Sequence, residues 1–435
     1  MTIRTRARDR ALRLAATLAA VTLVATACGG GGDDGGGGGS DGGGASSGPA
    51  TGEITIWARD SQQGFMSQLV DLFNASHQVK AKVTIIPNSS FVQKLGTAAA
   101  AGSGPDVSSI DLVYAPYFAS AGALEDITDL ADSLPYKDSL SPSHRRLSTY
   151  EDRTYALPFT AEASAVYYNK DLFKKAGIAN PPTTYAEMRE DAKKIRGLGS
   201  DYYGFTFAGA CGGCNVFEFA PHVWASGDDV LSEDGKQALL DSPAVTDALG
   251  LYRGMWEDGS VSSASKNDAG TQQIPLFTSG KVGMITLGAF AIPSIEKAKV
   301  NFGVTPIPGK DGGTSSFAGG DVISVINGTK NEAGAQEFVK WATDTEAQTF
   351  LAKNGSVPVR TALVPSIYAS QGEPYKVFGE LMASGKTPYS TVENAVFNDN
   401  NGPWAKMIND AVFGPDLASA QATGQKSAQS LIDAG

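Results

Sequence analysis

Short apolar runs alternate with stretches of helical periodicity along most of this chain. Runs at 54–57, 83–86 and 107–110 predict strands, and the segments between them, 65–74 and 91–101, repeat apolar residues at helical spacing. A β-α-β-α-β order predicts an α/β layer with parallel strand pairing. The sequence predicts further strands at 166–168, 282–285, 302–304 and 322–326, and further helices at 171–176, 184–196, 332–342, 345–353 and 404–435, the last broken at Gly414 and Pro415.

The first residues indicate an export signal. Five Arg lie between positions 4 and 13, and an apolar stretch at 14–27 ends in small residues before Cys28. This pattern predicts a signal peptide at 1–27. The residues before Cys28 resemble a bacterial lipobox, which implies lipidation of that cysteine, although Ala25 replaces the usual Leu. Plain cleavage that leaves a free Cys28 is the alternative.

A glycine-rich segment follows Cys28. Residues 29–52 contain 14 Gly among Ser and Asp, so they cannot bury enough apolar surface to fold. A flexible chain of this length reaches about 25–30 Å. We therefore predict that residues 28–52 form a lipidated cysteine and a tether, which would hold the folded body near a membrane.

The charge balance excludes several partners. The chain has 35 Lys+Arg and 46 Asp+Glu, for a net charge of −11. Residues 1–27 contain five Arg and one Asp, so the remainder carries −15. This acidity argues against nucleic acid and against direct binding to an anionic membrane. The sequence contains no recognised catalytic, phosphate-loop or metal motif, so we predict no catalytic residues, no cofactor and no metal.

Two cysteines lie close together at Cys211 and Cys214, with two Gly between them. Outside the cytoplasm this spacing favours a disulfide that staples a loop. A redox pair, half of a zinc site or free thiols are the alternatives that the spacing leaves open.

Carboxylates and aromatic rings provide the candidate binding groups. Asp60, Asp111, Glu162 and Asp321 follow apolar runs, and ligands of open α/β sheets bind beyond the carboxyl ends of strands. Trp404 follows the polar loop 398–403, which favours a ligand platform. Trp57 and Trp341 are predicted core residues.

One run of sequence is similar to a known family. Residues 166–177 read VYYNKDLFKKAG and 181–185 read PPTTY, after YALPF at 155–159 and Glu162. Shorter matches are GPDV at 104–107, GKVGM at 280–284, FGVTPIPG at 302–309 and NGSVPVR at 354–360. The chain from residue 53 onward resembles the extracellular solute-binding proteins of carbohydrate ABC importers.

The resemblance implies a periplasmic-binding-protein-like α/β fold, with two α/β lobes around a ligand cleft and several crossover segments. It implies an N-lobe of 53–160 and 303–342 and a C-lobe of 161–302 and 343–435. The ligand-binding residues it implies, together with the strand-end carboxylates, are Asp60, Asp111, Glu162, Asn215, Phe290, Gly320, Asp321, Arg360 and Trp404. Phe290 stands where the family usually has a stacking Trp.

The implied partners are a carbohydrate ligand and the permease subunits of an ABC transporter. The protein would be a monomer that touches the membrane only through its lipid anchor, on the outer face of the cytoplasmic membrane. Two other functions stay open: a receptor of the same family for a non-sugar solute, and a glycoside hydrolase that uses two carboxylates.

Overall fold

The computed structural model describes residues 50–368 and 371–435. The predicted signal peptide, Cys28 and all but the end of the predicted tether lie outside the described residues. The strands are β1 Glu53–Arg59, β2 Lys80–Ile86, β3 Val107–Asp111, β4 Thr149–Tyr150, β5 Arg153–Thr154, β6 Leu157–Asn169, β7 Tyr203–Thr206, β8 Val282–Gly288, β9 Phe302–Thr305, β10 Ile307–Pro308, β11 Thr314–Ser315 and β12 Ala318–Val325.

Helices surround these strands. They are α1 Met66–Ser76, α2 Asn88–Ala100, α3 Ala115–Ser120, α4 Thr128–Ser133, α5 Pro142–Leu147, α6 Lys170–Lys175, α7 Tyr185–Arg196, α8 Gly212–Glu218, α9 Ala220–Ala225, α10 Pro243–Glu257, α11 Gln273–Thr278, α12 Ile292–Lys297, α13 Glu332–Trp341, α14 Thr345–Lys353, α15 Val364–Tyr368, α16 Glu373–Met382, α17 Pro403–Phe413 and α18 Leu417–Ile432. Short 3-10 turns follow β1, β3 and β8, and a π-helical turn covers Asn394–Asn398.

Within the described residues, eight strands form one mixed sheet in the order β2-β1-β3-β12-β6-β8-β7, with β9 also paired to β6. The pairs β1–β2, β1–β3 and β7–β8 are parallel, as the sequence predicts. The strand β12 is antiparallel to both β3 and β6. The sheet therefore combines βαβ units with an antiparallel centre.

The long strand β6 joins two halves of the sheet. Its first part pairs with β12, and residues from Ser164 onward pair with β8 and β9. We call β1, β2, β3 and β12 the first half, and β7, β8 and β9 the second half. Separate apolar clusters pack on each half, so each has its own core.

Local signals explain where several helices begin. Thr184 accepts a hydrogen bond from the Glu187 amide at 3.2 Å, and the Glu187 carboxylate accepts one from the Thr183 amide at 2.8 Å. Thr184 is the N-cap residue, so the pair resembles the capping box that the sequence predicts at the start of α7, with the Glu187 carboxylate returning to the amide one residue before the cap. Asp344 caps α14 with a single bond, because its carboxylate accepts a hydrogen bond from the Ala347 amide at 2.9 Å.

Candidate ligand-binding cleft

A cleft of about 730 Å³ lies between the two halves of the sheet. The parallel strands β1 and β3 end at it, which is where ligands of open α/β sheets bind. Its lining residues are Arg59, Ser61, Gln62, Gly64, Phe65, Asp111, Val113, Tyr114, Thr160, Ala161, Glu162, Gly213, Phe217, Ala289, Phe290, Pro293, Phe317, Gly320, Asp321, Asn354, Gly355, Ser356 and Asn398.

Arg59, at the end of β1, holds two of the predicted carboxylates. Its Nη1 lies 2.8 Å from Asp111 Oδ2, and its Nη2 lies 2.6 Å from Asp321 Oδ1. The Asp321 side chain is 6% exposed and that of Asp111 is 30% exposed. Burial alone would lower the pKa of Arg59, but the charges of Asp321 and Asp111 raise it, so the guanidinium stays charged.

The second oxygen of Asp321 is also satisfied. Oδ2 accepts hydrogen bonds from the Gln62 amide at 2.9 Å and from the Thr160 hydroxyl at 3.1 Å. Gln62 also donates to Ser109 at 2.8 Å. These bonds fix one rigid polar floor that joins β1, β3, β6 and β12.

Glu162 lies in the middle of β6, and its side chain is solvent-exposed at the cleft floor. Within the described residues, its carboxylate receives no hydrogen bond from protein. Although the residue is exposed overall, protein groups packed around its carboxylate remove part of its hydration. Together with the nearby charges of Asp321 and Asp111, this raises the pKa of Glu162 to about 7, and the charge of Arg59 opposes the shift. Glu162 is therefore the cleft carboxylate that remains available to a ligand.

Three phenylalanines form an aromatic wall on the second-half side of the cleft. The Phe217 ring centroid lies 5.2 Å from that of Phe317 and 6.2 Å from that of Phe290. Phe290 is 44% exposed, which is unusual for a large apolar side chain. A Cβ at Gly288 would lie 2.6 Å from the Phe290 ring, so this glycine leaves room for the wall.

A hydrogen bond crosses the cleft from one half to the other. The Tyr114 hydroxyl, beyond β3, donates to Asn394 Oδ1 at 2.7 Å. Asn394 starts the π-helical turn that also supplies Asn398 to the cleft lining. Burial and the charges of Asp111 and Glu393 raise the pKa of Tyr114 to about 12, so the phenol remains a donor at neutral pH.

Of the predicted ligand residues, five line the cleft together: Asp111, Glu162, Phe290, Gly320 and Asp321. Gly320 has a φ of +129° and sits against the backbone of Thr160, where a side chain would clash. This glycine lets β12 approach β6 closely, and so brings Asp321 beside Arg59.

Trp404 is not placed in the cleft, contrary to the prediction. Its ring is fully buried and packs edge-on against Phe219 at 5.6 Å and Phe397 at 5.3 Å. The polar loop before Trp404 suggested exposure, but the apolar face of α17 carries the ring inward. Trp404 belongs to the core of the second half.

Three more predicted residues lie outside the cleft lining. Asp60 is exposed in the turn after β1. Asn215 is fully buried, and its amide donates to the carbonyls of Ala208 and Cys211, which fixes the start of α8. The Arg360 guanidinium stacks 3.8 Å from the Tyr136 ring centre, away from the cleft.

The predicted disulfide between Cys211 and Cys214 is present, with the Cα atoms 5.2 Å apart. Gly213, inside this loop, lines the cleft, and the Gly212 amide donates to Asn400 Oδ1 at 2.9 Å. A Cβ at Gly212 would meet the carbonyls of residues 397–399. The disulfide loop therefore packs directly against the segment that supplies Asn398.

A second groove, of about 790 Å³, lies beside α5, and about half of its lining residues are charged, with both signs present. Arg146 crosses part of it, stacks 4.9 Å from the Tyr389 ring centre and donates to the Glu233 carbonyl. Its surface lacks the aromatic wall and the organised carboxylates of the cleft, so we take the cleft as the functional site.

No group of three or more His, Cys, Asp or Glu in residues 50–368 and 371–435 is arranged to hold a metal ion. Over the same ranges, no helix combines the length and the apolar character needed to cross a bilayer.

A family model described as bacterial extracellular solute-binding protein matches residues 59–349. The chain belongs to this family. Diacetylchitobiose binding protein DasA of Streptomyces coelicolor is 31% identical over 332 residues, which cover 73% of this chain and 76% of DasA. The maltotriose-binding protein of Pyrococcus abyssi is 30% identical over 255 residues, or 57% of this chain and 53% of that protein.

Solved structures of other binding proteins share the fold of this solute-binding protein. The GacH receptor of Streptomyces glaucescens aligns with a TM-score of 0.74 at 24% identity, over 88% of this chain and 99% of the receptor. The sugar-binding protein MalE of Xanthomonas citri aligns with a TM-score of 0.77 at 19% identity, over 88% and 98%. The predicted fold class, an α/β periplasmic-binding-protein-like fold, is confirmed.

Proposed function

We propose that this solute-binding protein captures a carbohydrate outside the cytoplasm and delivers it to an ABC importer. The observation that carries the proposal is the cleft itself, where carboxylates face an aromatic wall. Carboxylates accept sugar hydroxyls with charge-assisted strength, and rings cover the C–H faces of a sugar without demanding polar partners. We propose Asp111, Glu162, Phe290, Gly320 and Asp321 as ligand-contacting residues.

Two relatives are named for sugar ligands, which supports a sugar, and a third is named for a different solute. DasA and the P. abyssi relative are named as binders of diacetylchitobiose and maltotriose. A third relative, the sn-glycerol-3-phosphate-binding periplasmic protein UgpB of Agrobacterium fabrum, is 26% identical over 335 residues. An anionic solute suits this cleft poorly, because Arg59 is the only basic lining residue in the described part of the chain and is already paired with two carboxylates.

We further propose that ligand closes the cleft. In this proposal the two halves of the sheet, each with the helices packed on it, form the two lobes, in place of the boundaries at 303 and 343 that the sequence suggests. The support is that β9 pairs on the second half, whereas Ala347 and Leu351 of α14 lie in a first-half core. A sugar that contacts both lobes favours the closed arrangement. The hydrogen bond between Tyr114 and Asn394 supports the idea, because it joins opposite walls. Closure would present a sugar-loaded surface to the permease subunits of the importer.

The membrane attachment is also a proposal. Cys28 would carry lipid after removal of residues 1–27, and the protein would then work as a monomer on the outer face of the cytoplasmic membrane. Its support is the sequence alone: the apolar stretch before Cys28 and the glycine-rich segment after it. The intact mass of membrane-extracted protein tests it, and a chain starting at Cys28 without acyl mass would reject it.

Thermal unfolding in the presence of a saccharide panel tests the proposed function. A ligand at 100 times its Kd should stabilise the fold by about 2.7 kcal/mol, which a melting shift detects. In Glu162→Gln the carboxylate is lost at constant size, so affinity for that sugar should fall about tenfold. If the melting temperature rises with an amino acid, peptide or polyamine but with no saccharide, the ligand is a non-sugar solute instead. Release of shorter sugars from an oligosaccharide would show hydrolysis.

A further inference from the structure

The cleft has an excess of negative charge. Among the lining residues that the structure describes, Asp111, Glu162 and Asp321 are acidic, and Arg59 is the one basic residue. Arg59 pairs with the two Asp, as described above, and leaves that trio with a net charge of −1 when all are ionised. With Glu162 ionised, the cleft reaches −2. A neutral ligand would leave this charge without compensation inside a site that closes on it.

Glu162 also has an aromatic neighbour on its own face of the sheet. Glu162 on β6 is directly paired with Gly319 on β12. The Phe317 ring covers Gly319 at the position where a Cβ would stand. Because paired residues of antiparallel strands project to the same face, the Phe317 ring lies beside the Glu162 side chain. Phe217 and Phe290 extend this wall.

A free carboxylate beside several ring faces is an arrangement that binds cations. The carboxylate supplies a charge-assisted acceptor, and the negative faces of the rings attract a positive charge within about 6 Å. A protonated amine that replaces one sugar hydroxyl would meet both groups. The overall net charge of −11 would also attract a cationic ligand during encounter.

We propose that the preferred ligand is an amino sugar, a saccharide with a protonated amine that pairs with Glu162 beside the rings of Phe317, Phe217 and Phe290. This inference rests on the proposed carbohydrate function and narrows its ligand class. The raised pKa of Glu162 is consistent with it, because an ammonium group would return the carboxylate to its charged form.

Isothermal titration calorimetry at pH 7 with matched sugars tests the proposal. Cellobiose, chitobiose and N,N′-diacetylchitobiose share one linkage and differ in carrying a hydroxyl, an ammonium or a neutral acetamide. The pairs glucose with glucosamine, galactose with galactosamine and mannose with mannosamine extend the panel. We expect the amine to bind at least about tenfold more tightly than its hydroxyl partner in one or more pairs.

Two variants separate the role of Glu162 from general effects. In Glu162→Gln the amino sugar should lose about tenfold more affinity than its hydroxyl partner, so the preference for the amine should disappear. Glu380→Gln changes an exposed glutamate on α16 outside the cleft lining, and it should leave both affinities unchanged.

The outcomes distinguish this inference from the proposed function. If neutral sugars bind as tightly as their amino partners, or if only neutral sugars bind, the amino-sugar inference is wrong and the carbohydrate function stands. If Glu162→Gln keeps the full preference for the amine, the amino-sugar inference is also wrong, and the carbohydrate function again stands. If no saccharide binds, both the inference and the proposed function are overturned.

Discussion

Replacement of Arg59 by Met tests whether the cleft floor depends on one ion-paired cation. Arg59→Met keeps the aliphatic stem but leaves Asp111 and Asp321 facing each other without the guanidinium. The side chains of Arg59, Asp111 and Asp321 are 16%, 30% and 6% exposed, so little water reaches their charges. Removing one partner of a buried ion pair costs about 3–5 kcal/mol, and we expect a loss of that size in the free energy of unfolding at pH 7.

Urea unfolding followed by tryptophan fluorescence provides the measurement. Arg153→Met is the matched control, because Arg153 pairs with Asp126 at the surface, where the two side chains are 51% and 33% exposed. This control should lose less than about 1 kcal/mol. Adding Asp321→Asn to Arg59→Met should recover part of the loss, because it removes the most buried unpaired charge.

The unfolding free energy that Arg59→Met loses should depend on pH in a defined direction. Burial and the charge of Asp321 already raise the pKa of Asp111 in the folded parent, and loss of the opposing Arg59 charge raises it further. The folded variant then binds more protons than the unfolded variant as pH falls, so its deficit relative to the parent should shrink between pH 7 and pH 4. Equal losses in Arg59→Met and Arg153→Met, or a deficit that does not change with pH, would refute the reasoning.

Four further changes address other parts of the molecule. Trp404→Ala should lower the free energy of unfolding by about 3–5 kcal/mol in urea titrations, because its ring is fully buried; unchanged stability would contradict a core role. Tyr114→Phe removes one hydrogen bond across the cleft, worth about 0.5–1.5 kcal/mol, and should weaken ligand binding two- to tenfold by calorimetry with little change in melting. Alkylation of unreduced protein should label neither Cys211 nor Cys214, and replacing both by Ser should cost at most about 2 kcal/mol of unfolding free energy in urea, since the closed loop is short. Glu162→Gln should raise the melting temperature at pH 8 but not at pH 5, because a carboxyl whose folded pKa is raised favours the folded state only below that pKa.

Local signals were enough to predict many elements of the fold. The helix predicted at 345–353 matches α14, and the break predicted at Gly414 and Pro415 separates α17 from α18. The strand predicted at 166–168 is only the end of β6, which runs Leu157–Asn169. Its first part is buried on both sides and contains Pro158, so it lacks the alternation that reveals a strand.

Fewer features of the candidate site than of the fold can be predicted from the sequence. Arg59 bonds Asp321 across 262 residues of sequence, and no periodic pattern links two such positions. Gln62, Phe217, Phe317 and Asn398 come from four separate segments, and the tertiary fold alone brings them to one cleft.

The core position of Trp404, in contrast, can be predicted from the sequence. Trp404, Ala405, Met407, Ile408, Ala411 and Val412 recur at helical spacing and are all buried on one face of α17. That periodicity favours a core position, whereas the preceding polar loop alone suggested exposure.

The late position of β12 in the sequence delays completion of the sheet during synthesis. This strand lies between β3 and β6, so the first half of the sheet stays incomplete until residues 318–325 have been synthesised. At about 5–20 residues per second, roughly 10–40 s separate the synthesis of β3 from that of β12. Pairings between such distant segments also form slowly. During that interval the first half of the sheet therefore lacks the strand that joins β3 to β6, and the edge of β3 that β12 later covers stays unpaired.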